Sequence, residues 1–429
     1  MLTPRAPFVP ALALLLLRAA HASAGVLVVD AAGGPGTDFT GLQAAIDAAT
    51  SGDVLLVRSG TYDGITIDGK GLVIVADTGA TVDVGPDLFS NSVVKNLPAG
   101  QTVALRGLSF DSFWPIAGGD LLVGFTLHLH DCAGAVWVED CTVVSGQPSL
   151  RVEGCADVTL VGCGLTGFGT TFNPAGSGCE IVSSTASIVT CRLTGGEGQD
   201  AANSTFPPLL KPASPGGHGL SVQAGLTSAS VTLVDCWLQG GEGGTGFSDI
   251  TFCEPPKAGG DGMRVGEFSG ELPDVRYADC HFHGGQAGGA PYCGMPASGG
   301  QNIKLLSGTL MPVPGNPPVL TTTTPAREGG TLPLTIDGQA GDSALLLFSA
   351  MPGGFFLPGK HGDLLLGGTL LVIPLLPLPP SGQLPLSLTV PELGAGLQGI
   401  ALYLQAATCA AGDCTLGTGS ALVLLDASF

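Results

Sequence analysis

The chain has 429 residues with 35 acidic and 15 basic side chains, and its formal net charge at pH 7 is −20. This charge excludes nucleic acid as a partner, because phosphate binding needs clustered Lys and Arg, and it disfavours an anionic polysaccharide as substrate. Disorder is excluded too, because apolar residues alternate with polar ones, and the 69 glycines favour many short strands joined by tight turns.

Residues 1–24 have the pattern of an export signal. Arg5 supplies the charged start, the apolar run ALALLLL follows, and ASA at 22–24 is a small-residue cleavage site. The apolar run is too short to span a bilayer, and the next apolar stretch, at 364–378, is broken by Gly and Pro. We therefore expect a secreted or surface-exposed mature chain without a membrane span.

A short helix and several strands are predicted after the export signal. Asp38 or Thr40 can cap a helix whose apolar face carries Leu42, Ile46 and Ala49. The apolar segments VLLV and LVIV follow it, separated by glycine-containing turns.

One pattern then recurs seven times: apolar, any, apolar, any, a small or turn-forming residue, and Cys. Each copy is typical of a short strand with alternate residues buried, closed by a bend. Cys132 to Cys155 spans 23 residues and Cys141 to Cys163 spans 22, so two columns of strands advance together. Such a coil predicts a parallel β-helix. The copies are LHLHDC (127–132), VWVEDC (136–141), LRVEGC (150–155), VTLVGC (158–163), ASIVTC (186–191), VTLVDC (231–236) and VRYADC (275–280).

The segment DFTGLQAAIDAATSGDVLLVRSGTYDGITIDGKGLVIVAD at 38–77 closely resembles the beginning of pectin lyase-like right-handed parallel β-helix proteins. In that family the helix covers the open N-terminal end of the coil. The resemblance implies an exported bacterial protein with such a β-helix, including the capping helix, at 25–311. It implies no particular activity, because this fold carries lyases, hydrolases, esterases, tailspikes and adhesins.

The segment GGHGLSV at 216–222 is similar to the one that contains the active-site His of polygalacturonases. Alignment of the loops places His218 at the same phase as Ser177, Asp261 and Gln301, which favours an exposed turn position of the repeat. The Asp-Asp pair, the Asn-x-Asp and the Arg-Ile-Lys of that family do not occur in this sequence. His218 and Asp261 remain candidates for catalysis without a complete catalytic set.

A second similarity concerns VWVEDC at 136–141, which resembles the Val-Trp-Ile-Asp-His segment of pectate lyases, with Asp140 in place of the His. The Arg-x-Pro-x-x-Arg segment that supplies the base in that family is absent from the sequence. Trp137 is expected at an outward position, either as a platform for a sugar ring or as part of a covered face.

Long glycine- and proline-rich loops follow Cys191, Cys236 and Cys280, and binding in a solenoid usually occurs on such loops. Glu197 and Glu242 have the same phase in successive coils. Two stacked carboxylates either stay solvated or recruit a cation, and oxygen ligands favour Ca²⁺. The predicted calcium ligands are Glu197, Glu242 and Asp200, and the predicted binding residues are Trp137, Glu197, Glu242, Asp249 and Glu254.

The repeat cysteines are predicted to be buried thiols. Stacked strands lie about 4.8 Å apart, whereas the Cβ atoms of a disulfide prefer about 3.8 Å. Disulfides are expected between Cys409 and Cys414, and between Cys253 and Cys293, which lie in long loops of adjacent coils.

The composition changes near residue 312. Residues 312–330 are predicted to be a linker, and 331–429 alternate six or seven apolar strands with Gly/Pro turns, which predicts a small antiparallel β-sandwich. The expected fold is therefore all-β.

Two functions remain open from the sequence. One is a non-catalytic, monomeric protein that binds a polysaccharide or a cell-envelope component through its long loops, with Ca²⁺ as the one cofactor considered. The other is a carbohydrate-active enzyme, a polysaccharide lyase or glycoside hydrolase of unrecognised type. The missing catalytic sets favour the first.

Overall fold

The computed structural model describes residues 25–85, 91–111, 125–169, 175–205, 208–225, 227–248, 253–266, 271–289, 296–357, 359–394, 396–410 and 412–429. The export signal predicted at 1–24 lies outside these residues. Within them, no helix is long and apolar enough to cross a bilayer.

Three parallel sheets run along residues 26–312, and each full coil visits them in the order A, B, C. The parallel β-helix predicted from the repeat is thereby confirmed. Sheet A contains Val26–Val29, Val54–Val57, Val73–Ala76, Thr102–Arg106, Ala135–Glu139, Asp157–Val161, Thr185–Val189, Ser230–Val234, Asp274–Ala278 and Thr309–Pro312. Sheet B contains Gly60–Tyr62, Val82–Val84, Ser109–Asp111, Thr142–Gly146, Gly164–Gly167, Arg192–Thr194, Trp237–Gln239 and His281–His283. Sheet C contains Thr66–Asp68, Ser92–Lys95, Leu127–His130, Leu150–Glu153, Cys179–Val182, Leu220–Gln223, Met263–Val265 and Ile303–Leu305.

One helix, Leu42–Ala48, lies against the first coil, with Leu42 and Ile46 buried in the core of the β-helix. Its N-cap residue is Gly41, which makes no side-chain capping bond, so the expected cap at Asp38 or Thr40 is wrong. The Asp38 carboxylate instead accepts a hydrogen bond from the Val28 backbone N–H at 2.8 Å. The helix is held by its buried apolar face and not by a cap.

The residue before each repeat cysteine turns the corner between two sheets. It has positive φ in every copy, and the corner is glycine at 154 and 162 but a non-glycine residue at the other five. The cysteine thiols that follow are reduced and, except for the half-buried Cys280, fully buried. Each Sγ lies 3.2–3.5 Å from the carbonyl oxygen two residues earlier. The cysteine therefore closes the corner as a small apolar side chain with a weak donor.

Thr190 is the least suited of these corner residues, because it is β-branched and has a φ of 52°. We expect Thr190→Asn to raise the free energy of unfolding by about 1 kcal/mol, since Asn adopts this conformation at lower cost. Urea denaturation measures the difference. Thr142→Asn, at an exposed strand position of sheet B, is the control and should bring no gain. Equal or lower stability of the Thr190 variant would contradict the argument.

The C-terminal residues form two layers that enclose a second core and are antiparallel except where Ala326–Arg327 pairs in parallel with Leu424–Leu425, which confirms the sandwich. Val319–Thr322 and Ala326–Arg327 are strands although they lie within the segment predicted to be a linker. One layer contains Val319–Thr322, Thr331–Asp337 and Gln383–Thr389. The other contains Ala326–Arg327, Ser343–Ser349, Leu371–Pro377, Gly399–Ala410 and Asp413–Leu425. Met351–Phe356 and Asp363–Gly367 form an additional hairpin.

The sandwich packs against the outer face of sheet A, so the two modules share a buried apolar layer. One cause is the composition of sheet A, because Val54–Val57 and Val73–Ala76 are apolar on both faces and later strands add outward apolar residues such as Trp137, Val161 and Val189. On the β-helix side the layer includes Val54, Leu56, Val73, Val75, Ala104, Trp137, Val161, Val189 and Val234. On the sandwich side it includes Leu347, Tyr403, Ala407, Ala421, Val423 and Leu425.

Candidate functional site

The long loops leave sheet B and return to sheet C as glycine-rich segments that pack backbone against backbone. A Cβ atom added at Gly240 would lie 2.0 Å from the Gly260 carbonyl oxygen, and one added at Gly243 would lie 2.0 Å from that of Lys257. The close contacts recur every third residue in both segments. Three residues per turn is the period of the polyproline II helix, and where three such chains pack closely, as in collagen, only glycine fits at the contact.

Outgoing and return segments are also hydrogen-bonded to each other through their backbones, within one loop and between successive loops. The Gly260 N–H donates to the Gly241 carbonyl, and the Gly285 N–H donates to that of Gly260, both at 2.8 Å. Backbone groups that strands would otherwise pair are thus satisfied within the loops. We call the segments 195–201, 213–217, 240–246, 256–260, 284–289 and 297–300 the glycine bundle.

The acidic residues predicted to bind calcium lie on the outer side of the glycine bundle. Glu197, Glu242 and Gln286 occupy the same phase, since the Gly198 N–H donates to the Glu242 carbonyl and the Gly243 N–H to that of Gln286. All three side chains are exposed. Among the residues that the structure describes, no three His, Cys, Asp or Glu side chains are grouped as metal ligands. Calcium binding therefore stays a prediction from the sequence.

The other loop residues that were predicted to bind calcium or a ligand make separate contacts. Asp200 accepts a hydrogen bond from the Thr245 N–H at 2.6 Å. Glu254 forms an ion pair with Lys257 at 2.9 Å. Asp249 lies outside the described residues.

Of the expected disulfides, the structure contains the one between Cys409 and Cys414. Cys253 is also disulfide-bonded, and Cys293 lies outside the described residues.

His218 and Asp261 lie together at the entrance to sheet C. Their stacked phase follows from the backbone, because the Gly178 N–H donates to the His218 carbonyl and the Gly219 N–H to that of Asp261. The expectation of an exposed turn is wrong, since Asp261 is only 4% exposed and His218 is half-buried. The return segments of the glycine bundle surround this position and remove it from solvent.

A cavity of about 580 Å³ opens beside His218 along the outer face of sheet C. Its charged lining groups are Glu180, Asp261, Arg264 and Lys304. Arg264 and Lys304 are directly opposite each other on adjacent strands. Burial lowers the pKa of His218 to about 4; Asp261 opposes the shift, and Arg264 and Lys304 add to it. The ring is therefore neutral at pH 7.

A second exposed feature is an aromatic surface on sheet B, which the sequence analysis did not identify. Trp237 is 39% exposed and stacks on His283, with ring centroids 4.6 Å apart and an interplanar angle of 30°. His281 lies 5.5 Å away on one side, and the Arg192 guanidinium lies 5.9 Å from the Trp237 ring on the other. We call Arg192, Thr194, Trp237, Gln239, His281 and His283 the Trp237 platform.

The Trp137 ring, in contrast to the Trp237 ring, is not exposed. Its ring is fully buried and packs on Tyr403 of the sandwich, with centroids 5.2 Å apart. The structure thus places Trp137 in a covered face, where a sugar ring has no access to it.

Comparison with known proteins adds little to this description. No family model matches the chain, and no curated protein matches it. A solved structure, ORF18 of Geobacillus virus E2, is 12% identical with a TM-score of 0.27 over 89% of this chain and 72% of that one. This similarity is too low to support an argument about fold or function.

Proposed function

We propose that the protein is an exported, pectin lyase-like β-helix protein that binds a neutral glycan through the Trp237 platform. The observation that carries the proposal is the partly exposed Trp237 ring in the middle of an open, otherwise polar sheet face. Trp is enriched at binding interfaces, where its flat ring presents apolar area with a polar N–H, and it dominates the binding energy of many of them.

The surroundings of Trp237 suit a sugar. The apolar face of a pyranose ring can lie against the part of the indole that remains exposed beside His283 and Arg192, while hydroxyls at the edge of the sugar reach polar groups. Arg192 and His281 are the strand neighbours of Trp237 along the axis, and Gln239 lies between Thr194 and His283 in the next row. Because strands in a sheet repeat at about 4.8 Å, these rows supply hydrogen-bonding groups at a spacing comparable with one sugar unit.

The overall charge supports a neutral ligand over an anionic one. The net charge of −20 repels polyanions at long range, whereas a neutral glycan pays no such cost. The pattern of an export signal at 1–24 supports a location outside the cell, where such glycans occur.

Binding to a panel of neutral polysaccharides, measured by glycan array and titration, tests the proposal. We expect Trp237→Ala to weaken binding about tenfold or more, because truncating a central aromatic contact typically costs more than 1 kcal/mol. Trp237→Phe should retain most of the affinity. Phe355→Ala removes a ring that is 46% exposed on the sandwich and is the matched control. Unchanged binding by Trp237→Ala, or binding to no member of the panel, would contradict the proposal.

The alternative of a carbohydrate-active enzyme has one observation in its favour. His218 and Asp261, with Nδ1 and Oδ2 3.4 Å apart, line a cavity large enough for a small ligand. The same polysaccharide panel distinguishes the two functions. Release of reducing ends or unsaturated products, abolished in His218→Gln or Asp261→Asn, would establish the enzyme.

A further inference from the structure

From the arrangement of hydrogen-bond donors around His218 we infer that the cavity on sheet C binds a small oxyanion, held by Arg264, Lys304 and the His218 ring. This site is separate from the Trp237 platform, which lies on sheet B. The inference therefore does not depend on the proposed glycan binding.

The first observation concerns two cations whose charge is not locally paired. Arg264 and Lys304 face each other across adjacent strands, where like charges destabilise a sheet. Within the described part of the chain neither forms an ion pair with a carboxylate. By contrast, the Arg151 guanidinium on the same sheet pairs with Glu180 at 2.7 Å. Arg264 and Lys304 line the cavity together with Glu180, which is paired with Arg151, and Asp261, which is only 4% exposed.

The second observation concerns the protons of the His218 ring. The backbone N–H of Asp261 donates to Nδ1 at 3.0 Å, so the proton of the neutral ring is on Nε2. The Arg264 Nη1 atom lies 3.3 Å from that same Nε2. Two donors thus face each other with no acceptor between them. An oxyanion oxygen in the cavity would accept from both and would neutralise the adjacent positive charges.

The groups around His218 also determine how binding depends on pH. They are Glu180 from the preceding coil, Asp261 and Arg264 from the following coil, and Lys304 from the coil after that. The pKa of His218 is about 4 without a ligand. A bound anion favours the protonated ring and raises this pKa, so binding is coupled to proton uptake. Affinity for an anion of constant charge should therefore increase as the pH falls.

Isothermal titration with sulfate, phosphate and acetate tests the inference on the full chain. We expect Arg264→Gln and Lys304→Gln each to weaken sulfate binding about tenfold. The matched control is Lys360→Gln on the sandwich, which should bind like the unmodified protein. Both cavity variants should fold with an equal or higher melting temperature, because each removes a repulsion between opposed cations.

Sulfate should bind more tightly at about pH 5 than at about pH 8, and His218→Gln should remove that difference.

The origin of the oxyanion is tested with glucose 6-phosphate. Tighter binding than inorganic phosphate would assign the site to an oxyanion carried on a sugar, and equal or weaker binding would assign it to the free ion. Either result supports the site. Absence of binding by sulfate, phosphate and acetate, or undiminished binding in both cavity variants, would overturn it.

Discussion

Replacing Gly288 by Ala is expected to cost roughly 3 kcal/mol, whereas the same change at Gly289 leaves stability nearly unchanged. A Cβ atom at Gly288 would lie 2.0 Å from the carbonyl oxygen of Gly244, which is part of the stacked backbone of the glycine bundle. At Gly289 the nearest atom is Cγ2 of Thr245 at 3.5 Å, an ordinary contact. The two glycines are neighbours in one segment, so composition and position in the chain are matched.

The loss at Gly288 should begin in the loops. The Gly288 N–H donates to the Lys257 carbonyl, and the Gly243 N–H donates to that of Gln286, so a displaced segment 284–289 breaks bonds to both neighbours. We expect hydrogen exchange of the amides in 240–246 and 284–288 to accelerate in Gly288→Ala before the sheets are affected. Equal exchange and equal melting temperatures for the two variants would show that the bundle is not close-packed as described.

The coil was predictable because its period is fixed by the backbone. Stacked strands must repeat in register, so the spacing of Cys132, Cys155, Cys141 and Cys163 was sufficient to indicate stacked parallel sheets. The same logic placed His218 and Asp261 at one phase. Exposure did not follow from phase, because it depends on how the long return loops pack over that position.

The two tryptophans show a second limit of prediction from the sequence. Trp137 and Trp237 both stand at outward positions of β-helix strands, the first on sheet A and the second on sheet B, yet one is buried and the other is partly exposed. The difference lies in which sheet the sandwich covers. A signal was present in the sequence: VLLV at 54–57 and VIVA at 73–76 are apolar on both faces, which predicts a strand buried on both sides. Applied to the first strands of sheet A, this pattern would have predicted that the outer face of the sheet is covered by the sandwich.

The donors around His218 could not have been found from the sequence. The close approach of the Arg264 and His218 donors depends on the position of one backbone N–H and on the direction of the Arg264 side chain. Strand phase could have placed Arg264 and Lys304 on the same sheet face, but it says nothing about whether carboxylates pair with them.

Glu139→Gln is expected to destabilise the docked sandwich by about 3 kcal/mol, while Asp140→Asn should cost less than about 1 kcal/mol. Both carboxylates pair with Arg106, Glu139 at 2.7 Å and Asp140 at 3.0 Å. The Glu139 side chain is 4% exposed and that of Asp140 is 55% exposed. An exposed ion pair contributes little, whereas removal of the buried carboxylate leaves the Arg106 charge without its main partner.

Glu139 also joins the two modules directly. Its carboxylate accepts hydrogen bonds from the Ser420 hydroxyl at 2.7 Å and the Ala421 N–H at 2.6 Å, both on the sandwich, and from the Trp137 indole at 2.9 Å. An amide at this position places donors against donors. Asn in place of Asp140 preserves the shape of the side chain and tolerates the φ of 51° at that corner.

Scanning calorimetry and limited proteolysis measure the difference between these variants. In Glu139→Gln we expect a lower melting temperature and faster cleavage in 313–318, which connects the last strand of sheet A to the sandwich. The double variant Arg106→Met with Glu139→Met removes both buried charges but leaves the donors of Ser420, Ala421 and Trp137 without their acceptor, so it should recover only part of the loss. If Glu139→Gln and Asp140→Asn lose the same amount, burial does not determine the strength of this contact. If the double variant is the least stable of the three, the ion pair stabilises the docked state beyond what packing can replace.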